Sequence, residues 1–458
     1  MYRLQTIRTE AAALLTIAIP SVIAQLSQMS MGFVDTLMVA QIGSRELAGV
    51  GSGAAVYFLV LVFCYGIISS IGPLVSQAFG SGDHDEIERV VIDGIWLALG
   101  LSAFGMIIYW NLGMVLRLFG QQPEVIAIAE SYVRAMSWGY PAVMLFGVLR
   151  TFADALGRTR VAMVISFVAV FINGGFNYLL MFGELGFPRL GAIGAGYSTA
   201  IVKWSMLAMI LVYVFRSRDF ERYDLWSRVG RPNFRRLGAI LRLGLPIGAG
   251  QSMENGFFGL TSLLMGQIST TALASHQIAI NCAAFTFMVP LGVSISISTR
   301  VGQAIGRRDR AAASLAGWVG IGVAGLFMVT TAILFFLFRH RIIGIYTEDP
   351  ATLDYAAGLL MIAGAFQISD GLQVGAMGAL RGLKDTARPL LTNMFAYWLI
   401  GMPAGWLLGF HLGYGGQGLW WGLTLGLSVA AVMHTLRFRK LVGDTGEVPR
   451  VVTEVPVR

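Results

Sequence analysis

The sequence predicts an all-α polytopic membrane protein with twelve transmembrane helices. Of its 458 residues, 56% are hydrophobic and only 13% are charged, whereas soluble domains carry about 25% charged residues. The apolar segments are longer than the roughly 20 residues that a helix needs to cross a bilayer. The alternating ten-residue segments of a strand barrel are absent from the sequence. Helices are therefore the expected spanning elements.

Short polar breaks, such as "GSGDHDEIER", "GRRDRAA" and "RGLKDTARP", separate the predicted spans. Lys and Arg concentrate in alternate loops and in the tails, as is typical of the cytoplasmic side, so both chain ends are expected in the cytoplasm. The net charge of +8 follows this distribution, and no nucleic-acid partner is expected. The predicted spans are 12–42, 47–79, 90–118, 125–156, 159–182, 191–215, 238–268, 272–305, 312–338, 350–380, 389–411 and 415–437.

The chain contains an internal duplication. A shift of 226 residues places "QAFGSGD" (77–83) on "QAIGRRD" (303–309) and Pro20 on Pro246, and a shift of 227 places "ALGRT" on "GLKDT". A nearly constant offset indicates that six spans were duplicated. Because six is even, the two six-helix bundles are expected to be related by a pseudo-twofold axis along the membrane normal.

The repeat and the loop charges predict the domain organisation. We expect an N-lobe over 1–215, a cytoplasmic connector over 216–237, a C-lobe over 238–437 and a cytoplasmic tail over 438–458. The basic connector is interpreted as a membrane-surface linker. The matched prolines early in the first helix of each repeat are expected to kink these helices and to act as hinges.

Three acids lie inside spans with no basic residue within one helical turn: Asp35, Glu254 and Asp370. An acid at such depth must form an ion pair, take up a proton or bind a cation, so it is a candidate functional residue. The alternative for each is a hydrogen bond to a neighbouring helix. Under the repeat, Glu254 aligns with Gln28 and Asp35 with Thr261, so each half carries its own acid at a different position.

Other polar residues accompany these acids. Asn173 and Asn177 are four residues apart and share one helix face. With Asp35 they could supply the oxygen ligands that hard cations such as Na+ prefer, or they could form interhelical hydrogen bonds. Asp154 precedes a cytoplasmic turn, and it either caps this turn or faces the cavity.

Two further acids have structural interpretations. Asp93 lies near a span end, where we expect it to be solvated. Glu130 and Arg134 are four residues apart on one helix face, so they are expected to pair with each other.

Several motifs resemble those of MATE (multidrug and toxic compound extrusion) transporters, in particular the NorM-like bacterial branch. They are "FVDTLMVAQIG", "ALASHQIAIN", "QAIGRRD", "LRTFADALGRTR" and "ALRGLKDTARP", and with the two C-lobe acids they run in order over 12–437. The resemblance implies two lobes around a central cavity and secondary active efflux of cationic amphiphilic drugs in exchange for inward Na+ or H+. It implies a bacterial inner-membrane protein, surrounded by lipids, that works as a monomer without a cofactor.

The resemblance also implies residue roles. Glu254 and Asp370 correspond to the acids that bind the coupling cation in the second lobe, and Asp35 to the acid of the first lobe. A Na+ ion would lie at either place. The aromatic residue near the acid of span 10 corresponds to Phe366, which has no oxygen to offer a cation. The polar companions of the first lobe correspond to Asn173, Asn177 and Asp154.

A lipid-linked saccharide flippase of the same superfamily is the main alternative. Such a protein would need basic residues around its cavity to hold pyrophosphate. Only Arg134, Arg150 and Lys203 lie well inside spans, while acids dominate, and this favours a cationic cargo. No nucleophile–base or metal constellation indicates an enzyme, and a channel would not explain a duplication with different acids in each half.

Overall fold

The computed structural model describes residues 2–118, 120–225, 230 and 232–443, and this part of the chain is helical without strands. The α-helices are α1 (Tyr2–Ala40), α2 (Ser44–Ser69), α3 (Ile71–Ser81), α4 (His84–Trp110), α5 (Leu112–Leu118), α6 (Pro123–Ser137), α7 (Tyr140–Ala155), α8 (Arg160–Phe182), α9 (Ala192–Arg216), α10 (Phe234–Ile268), α11 (Thr270–Gly306), α12 (Arg310–Ile343), α13 (Pro350–Gly382), α14 (Ala387–Asn393), α15 (Met402–Trp406) and α16 (Gly415–Gly443).

Nine helices in the described part are long and apolar enough to cross a membrane. The three other predicted spans are also helical but have different features. Charged and polar residues occur along α10, and the span formed by α6 and α7 is interrupted between them. The span from Ala387 to His411 alternates between α-helical and π-helical turns, at Met394–Gly401 and Leu407–His411. The predicted all-helical membrane architecture is confirmed.

The two copies of the "QAxGxxD" segment form the same turn. The residue before each aspartate has a positive φ, 76° at Gly82 and 61° at Arg308. Asp83 and Asp309 then cap the next helix, each accepting a hydrogen bond at 2.9 Å from the backbone N–H three residues later. Glycine adopts positive φ without strain, whereas the same conformation costs about 1 kcal/mol of conformational free energy for the arginine. The duplicated sequence thus encodes duplicated structure.

A second pair of equivalent turns carries ion pairs of opposite polarity. Arg158 and Asp385 align under the shift of 227. Arg158 pairs with Asp219 at 2.7 Å, and Asp385 pairs with Arg437 at 2.8 Å. Each repeat therefore keeps an ion pair at this turn but reverses its sign.

The chain forms two compact units, which we describe separately. Unit 1 consists of Met1–Val22, Phe79–Gly82 and Ala249–Arg458, and unit 2 consists of Ile23–Ala78 and Asp83–Gly248. The predicted lobe boundaries at 215 and 238 stay a prediction. Parts of the predicted connector (226–229 and 231) and of the predicted tail (444–458) lie outside the described residues, and α16 continues past the predicted span end at 437.

The prolines of the first helix in each repeat lie close to the points where the chain changes unit. Pro20 is inside α1 and Pro246 is inside α10. The chain leaves unit 1 after Val22 and unit 2 after Gly248, each two residues beyond the proline. A proline removes a helical hydrogen bond and makes bending easier at that point. The hinge role stays a prediction, and the unit boundaries fall where such a hinge would act.

Equivalent residues form ion pairs in the N-terminal parts of α1 and α10. Glu10 and Arg236 align under the shift of 226. Within unit 1, Arg300 donates to both carboxylate oxygens of Glu10, at 2.9 and 2.5 Å. Within unit 2, Arg236 pairs with Asp93 at 2.7 Å. Asp93 is buried, so the expectation of a solvated residue near a span end is wrong, because its partner arrives from a distant helix.

Removing the Arg300 anchor is expected to destabilise unit 1. Arg300→Ala leaves the Glu10 carboxylate mostly buried without its partner, and the expected loss is about 2 kcal/mol. Thermal unfolding in detergent measures it. Arg45→Ala is the matched control, since Arg45 and Glu124 form an ion pair at 2.5 Å with both side chains about two-thirds exposed. An equal loss in both variants would contradict the anchor role, because exposed pairs contribute little.

Candidate functional site

Asp35 on α1 is the centre of a polar cluster in unit 2. Its Oδ1 accepts hydrogen bonds from the Nδ2 atoms of Asn173, at 2.9 Å, and Asn177, at 2.5 Å. Both amides project from one face of α8 because they are four residues apart. The asparagines are 2% and 0% exposed. The structure therefore brings together three residues that the sequence pattern singled out.

The amide oxygens of this cluster have no donor. Within the described part of the chain, Oδ1 of Asn173 and Oδ1 of Asn177 are buried without a hydrogen-bond partner. The side chain of Thr199, on α9, also interacts with the Asp35 carboxylate. Buried acceptors without donors are unfavourable. A carboxylate beside two unpartnered amide oxygens is a donor set that suits a hard cation.

A basic residue from α9 acts on this cluster. Lys203 lies one turn beyond Thr199, on the same helix face, and attracts Asp35 electrostatically. Ser198 donates a hydrogen bond at 3.3 Å to the backbone carbonyl of Asn173, which holds α9 against α8. The sequence identified Lys203 as a lone base inside a span, but local spacing could not connect it with Asp35.

Asp154 lies in a neighbouring ion pair. It is 3.5 Å from Arg150, one turn earlier on α7, and both side chains are buried. Arg150 also donates to Oε1 of Gln25 at 2.9 Å, and it repels Lys203 electrostatically. Asp154 is thus paired within its own helix, whereas the two asparagines donate directly to Asp35.

Unit 1 contains a pair of acids. Asp370 on α13 is buried and interacts electrostatically with Glu254 on α10. The amide of Gln373 and the guanidinium of Arg381 both act on Glu254. Two neighbouring carboxylates cannot both stay ionised in a low-dielectric site without compensation. The pair therefore calls for a proton or a cation, in addition to the influence of Arg381.

Arg381 is half-buried, and it lies near both Glu254 and His434. Nε2 of His434 lies 2.8 Å from Oδ1 of Asn393. Under the shift of 227, Arg381 aligns with Asp154. The two repeats thus place opposite charges at one equivalent position, as they do at the ion-paired turns.

The aromatic residue of span 10 packs into the core. Phe366 is buried, and its ring lies 5.5 Å from the ring of Trp420 and 6.5 Å from that of Phe258. Another side chain with a hydroxyl, Tyr397, lies within electrostatic range of Glu254 and Asp370. Tyr397 comes from a different span, and no local pattern in the sequence connected it with the acids.

The remaining predicted polar pair lies apart from these clusters. Glu130 and Arg134 approach to 4.0 Å, with the arginine half exposed, so the predicted pairing is present but weak. Among the residues that the structure describes, no three His, Cys, Asp or Glu side chains converge on a common point.

Comparisons with known proteins agree with this architecture. The MatE family model matches residues 20–179 and 246–407, once in each repeat, and the two matches start 226 residues apart. "Probable multidrug resistance protein NorM" from Pseudomonas putida is 40% identical over 447 residues, which cover 96% of this chain and 97% of that protein. "Multidrug resistance protein NorM" from Photobacterium profundum is 35% identical over 436 residues, covering 94% and 96%.

Solved structures share the fold. The crystal structure of the eukaryotic MATE transporter AtDTX14 matches with a TM-score of 0.87 over 95% of this chain and 98% of that chain, at 20% identity. The two matched repeats, the full-length relatives and the fold together confirm the resemblance seen in the motifs. The protein is a multi-pass membrane protein and not an enzyme, and the chain belongs to the MatE family of transporters.

Proposed function

We propose that this protein is a secondary active multidrug efflux antiporter, which exports cationic amphiphilic compounds by alternating access in exchange for an inward-moving cation. The Asp35 cluster is the observation that carries the proposal, because two amide oxygens lie unpartnered beside its carboxylate in the described part of the chain, and Lys203 attracts the carboxylate without donating to them. The full-length relatives named as multidrug resistance proteins support the drug-efflux part.

The donor set favours Na+ over H+ as the coupling ion. A proton on Asp35 would neutralise its charge but could serve only one acceptor. The unpartnered oxygens of Asn173 and Asn177 would then still lack a donor. A Na+ ion bound to Asp35 could be held by several oxygens at once, as hard cations are. H+ stays the alternative coupling ion.

A cationic cargo follows from the balance of buried charges. Arg150 is engaged with Asp154, and the more peripheral Arg300 with Glu10. Glu254 and Asp370 lie near each other, and Arg381 is the one base among the described residues that acts on Glu254, so this pair carries excess negative charge. A flippase for an anionic pyrophosphate lipid would need the opposite balance. If drug and ion compete for the same carboxylates, each must weaken the binding of the other.

The orientation and assembly are part of the proposal. The bias of Lys and Arg towards alternate loops supports cytoplasmic chain ends and a location in the bacterial inner membrane. Each acid cluster is assembled within one compact unit of a single chain. This supports a transporter that works as a monomer surrounded by membrane lipids, and no cofactor is required.

Ethidium transport in proteoliposomes tests the proposal. A Na+ gradient and a pH gradient are imposed separately, and dye movement is followed by fluorescence. We expect the Na+ gradient alone to drive ethidium transport. Transport driven only by the pH gradient would identify H+ as the coupling ion instead. If neither gradient moves the dye, cation-coupled efflux of this class of compound is contradicted and the flippase alternative gains support.

A further inference from the structure

The resemblance assigns Glu254 and Asp370 in unit 1 to the coupling cation, and we propose that Gln373 and Tyr397 are further ligands that complete this second Na+ site. The two residues would supply the neutral oxygens, with the Tyr397 hydroxyl in place of the oxygen that Phe366 lacks. This inference rests on the proposed Na+ coupling and names further residues that determine ion specificity.

Three buried oxygens near Glu254 lack donors within the described part of the chain. They are Oδ1 of Asp370, Oε1 of Gln373 and the hydroxyl of Tyr397. Their side chains are 5%, 0% and 0% exposed, so water does not reach them easily. Asp370 and Gln373 lie three residues apart on one face of α13, and both act on Glu254. One shared cation would satisfy oxygens that no protein donor serves.

The backbone and an aromatic stack direct Tyr397 to this place. Tyr397 lies in the π-helical turn Met394–Gly401, and such turns frequently occur at functional sites. Its ring stacks on Phe257 with centroids 5.0 Å apart and an interplanar angle of 5°. Phe257 follows Glu254 by three residues on α10, so the stack holds the phenol beside that acid. The interaction of Tyr397 with both carboxylates agrees with this placement.

The surrounding donors act on Glu254 and do not serve the neutral oxygens. The Gln373 amide nitrogen lies 4.0 Å from the sulfur of Met377, and the amide acts on Glu254, so its oxygen is left over. Arg381 attracts Glu254, and it lies near His434 without a hydrogen bond to that residue being among its described contacts. A proton shared by the two acids would relieve their repulsion but would leave the oxygen of Gln373 without a donor. Na+ can serve the carboxylates and the neutral oxygens together.

Na+-dependent thermal stabilisation of the purified protein tests this site. The Asp35→Asn background removes the carboxylate of unit 2, and K+ at equal ionic strength is the reference. We expect Na+ to stabilise Asp35→Asn. Adding Tyr397→Phe, which keeps the ring stack, or Gln373→Met should raise the half-stabilising Na+ concentration about tenfold or more, the scale on which metal sites respond to lost polar partners.

Tyr140→Phe is the matched control. Tyr140 in unit 2 also has a buried hydroxyl, and its neighbours are Tyr109 and Cys64 rather than carboxylates. Its substitution should leave the Na+ response unchanged. If Tyr397→Phe and Gln373→Met both leave the half-stabilising Na+ concentration of Asp35→Asn unchanged, the second site is overturned and the proposed Na+ coupling is not. Absence of any Na+-specific stabilisation in the wild type overturns both the site and the proposed Na+ coupling.

Discussion

Glu254→Gln is expected to abolish coupled efflux while the protein still folds and inserts. Glutamine keeps the shape and the contact with Gln373 but removes the charge that attracts the ion and the drug. Losing such a buried attraction is worth roughly 3 kcal/mol, so efflux should fall about a hundredfold or more. Ethidium efflux from proteoliposomes, normalised to the amount of inserted protein, measures this effect.

Glu130→Gln is the control for this substitution. Glu130 also lies inside a predicted span, but it is only loosely paired with Arg134, at 4.0 Å. Its substitution should change efflux less than about twofold, in line with the small contribution of exposed ion pairs. Normal efflux by Glu254→Gln, or an equal loss in both variants, would contradict a specific role for the Glu254 charge.

Asp35→Asn is expected to remove the Na+ dependence of transport and to retain drug binding. Asparagine keeps an oxygen that can accept from the amides of Asn173 and Asn177, but it removes the negative charge that would attract a cation. Na+-driven efflux should fall about a hundredfold, as for a lost buried charge interaction. Ethidium binding, followed by fluorescence, should change little. Equal loss of drug binding would place Asp35 in the drug site instead.

Asp349→Asn controls for the same chemical change outside the membrane. Asp349 caps α13, and its Oδ2 accepts a hydrogen bond from the backbone N–H of Thr352 at 3.0 Å. Hydrogen bonds from Thr352 also hold the pKa of Asp349 below its usual value. Asparagine caps helices about as well as aspartate, so this variant should transport normally. Impaired transport would show that loss of any carboxylate on this chain disturbs function.

Much of the fold could be predicted because its signals are local or periodic. Span lengths follow from apolar composition, and the constant offset between the repeats predicted shared structure. The capped turns at Asp83 and Asp309 bear this out in atomic detail. The boundaries of the compact units were harder to predict from the sequence. They fall inside α1 and α10, where tertiary contacts change but the composition does not.

The candidate site could be predicted only in part. Asp35, Glu254 and Asp370 stood out because isolated acids in apolar spans are unfavourable. Their partners Lys203, Arg381 and Tyr397 come from other helices or from distant turns, so no local spacing relates them to the acids. The helix spacing of Asn173 and Asn177 did predict their shared face, and the structure adds their common acceptor.

The repeats have diverged most in charge. Arg158 and Asp385 occupy equivalent turns with opposite sign, and Asp154 aligns with Arg381. Motif comparison does not predict such reversals, because aligned residues of opposite charge look like mismatches. The acid clusters differ as well: in unit 2 two amides donate to Asp35, whereas in unit 1 Glu254 and Asp370 lie near each other. The two halves therefore offer different chemistry to an ion and a drug.

Tracer Na+ uptake driven by drug efflux tests the exchange most directly. Proteoliposomes are loaded with ethidium and diluted into dye-free buffer with equal Na+ inside and outside, with radioactive Na+ added outside. The account predicts that dye leaving the vesicles drives Na+ above its equilibrium level in the wild type but not in Asp35→Asn. Dye efflux without Na+ accumulation in the wild type, or equal accumulation in both proteins, would contradict Na+/drug antiport through Asp35.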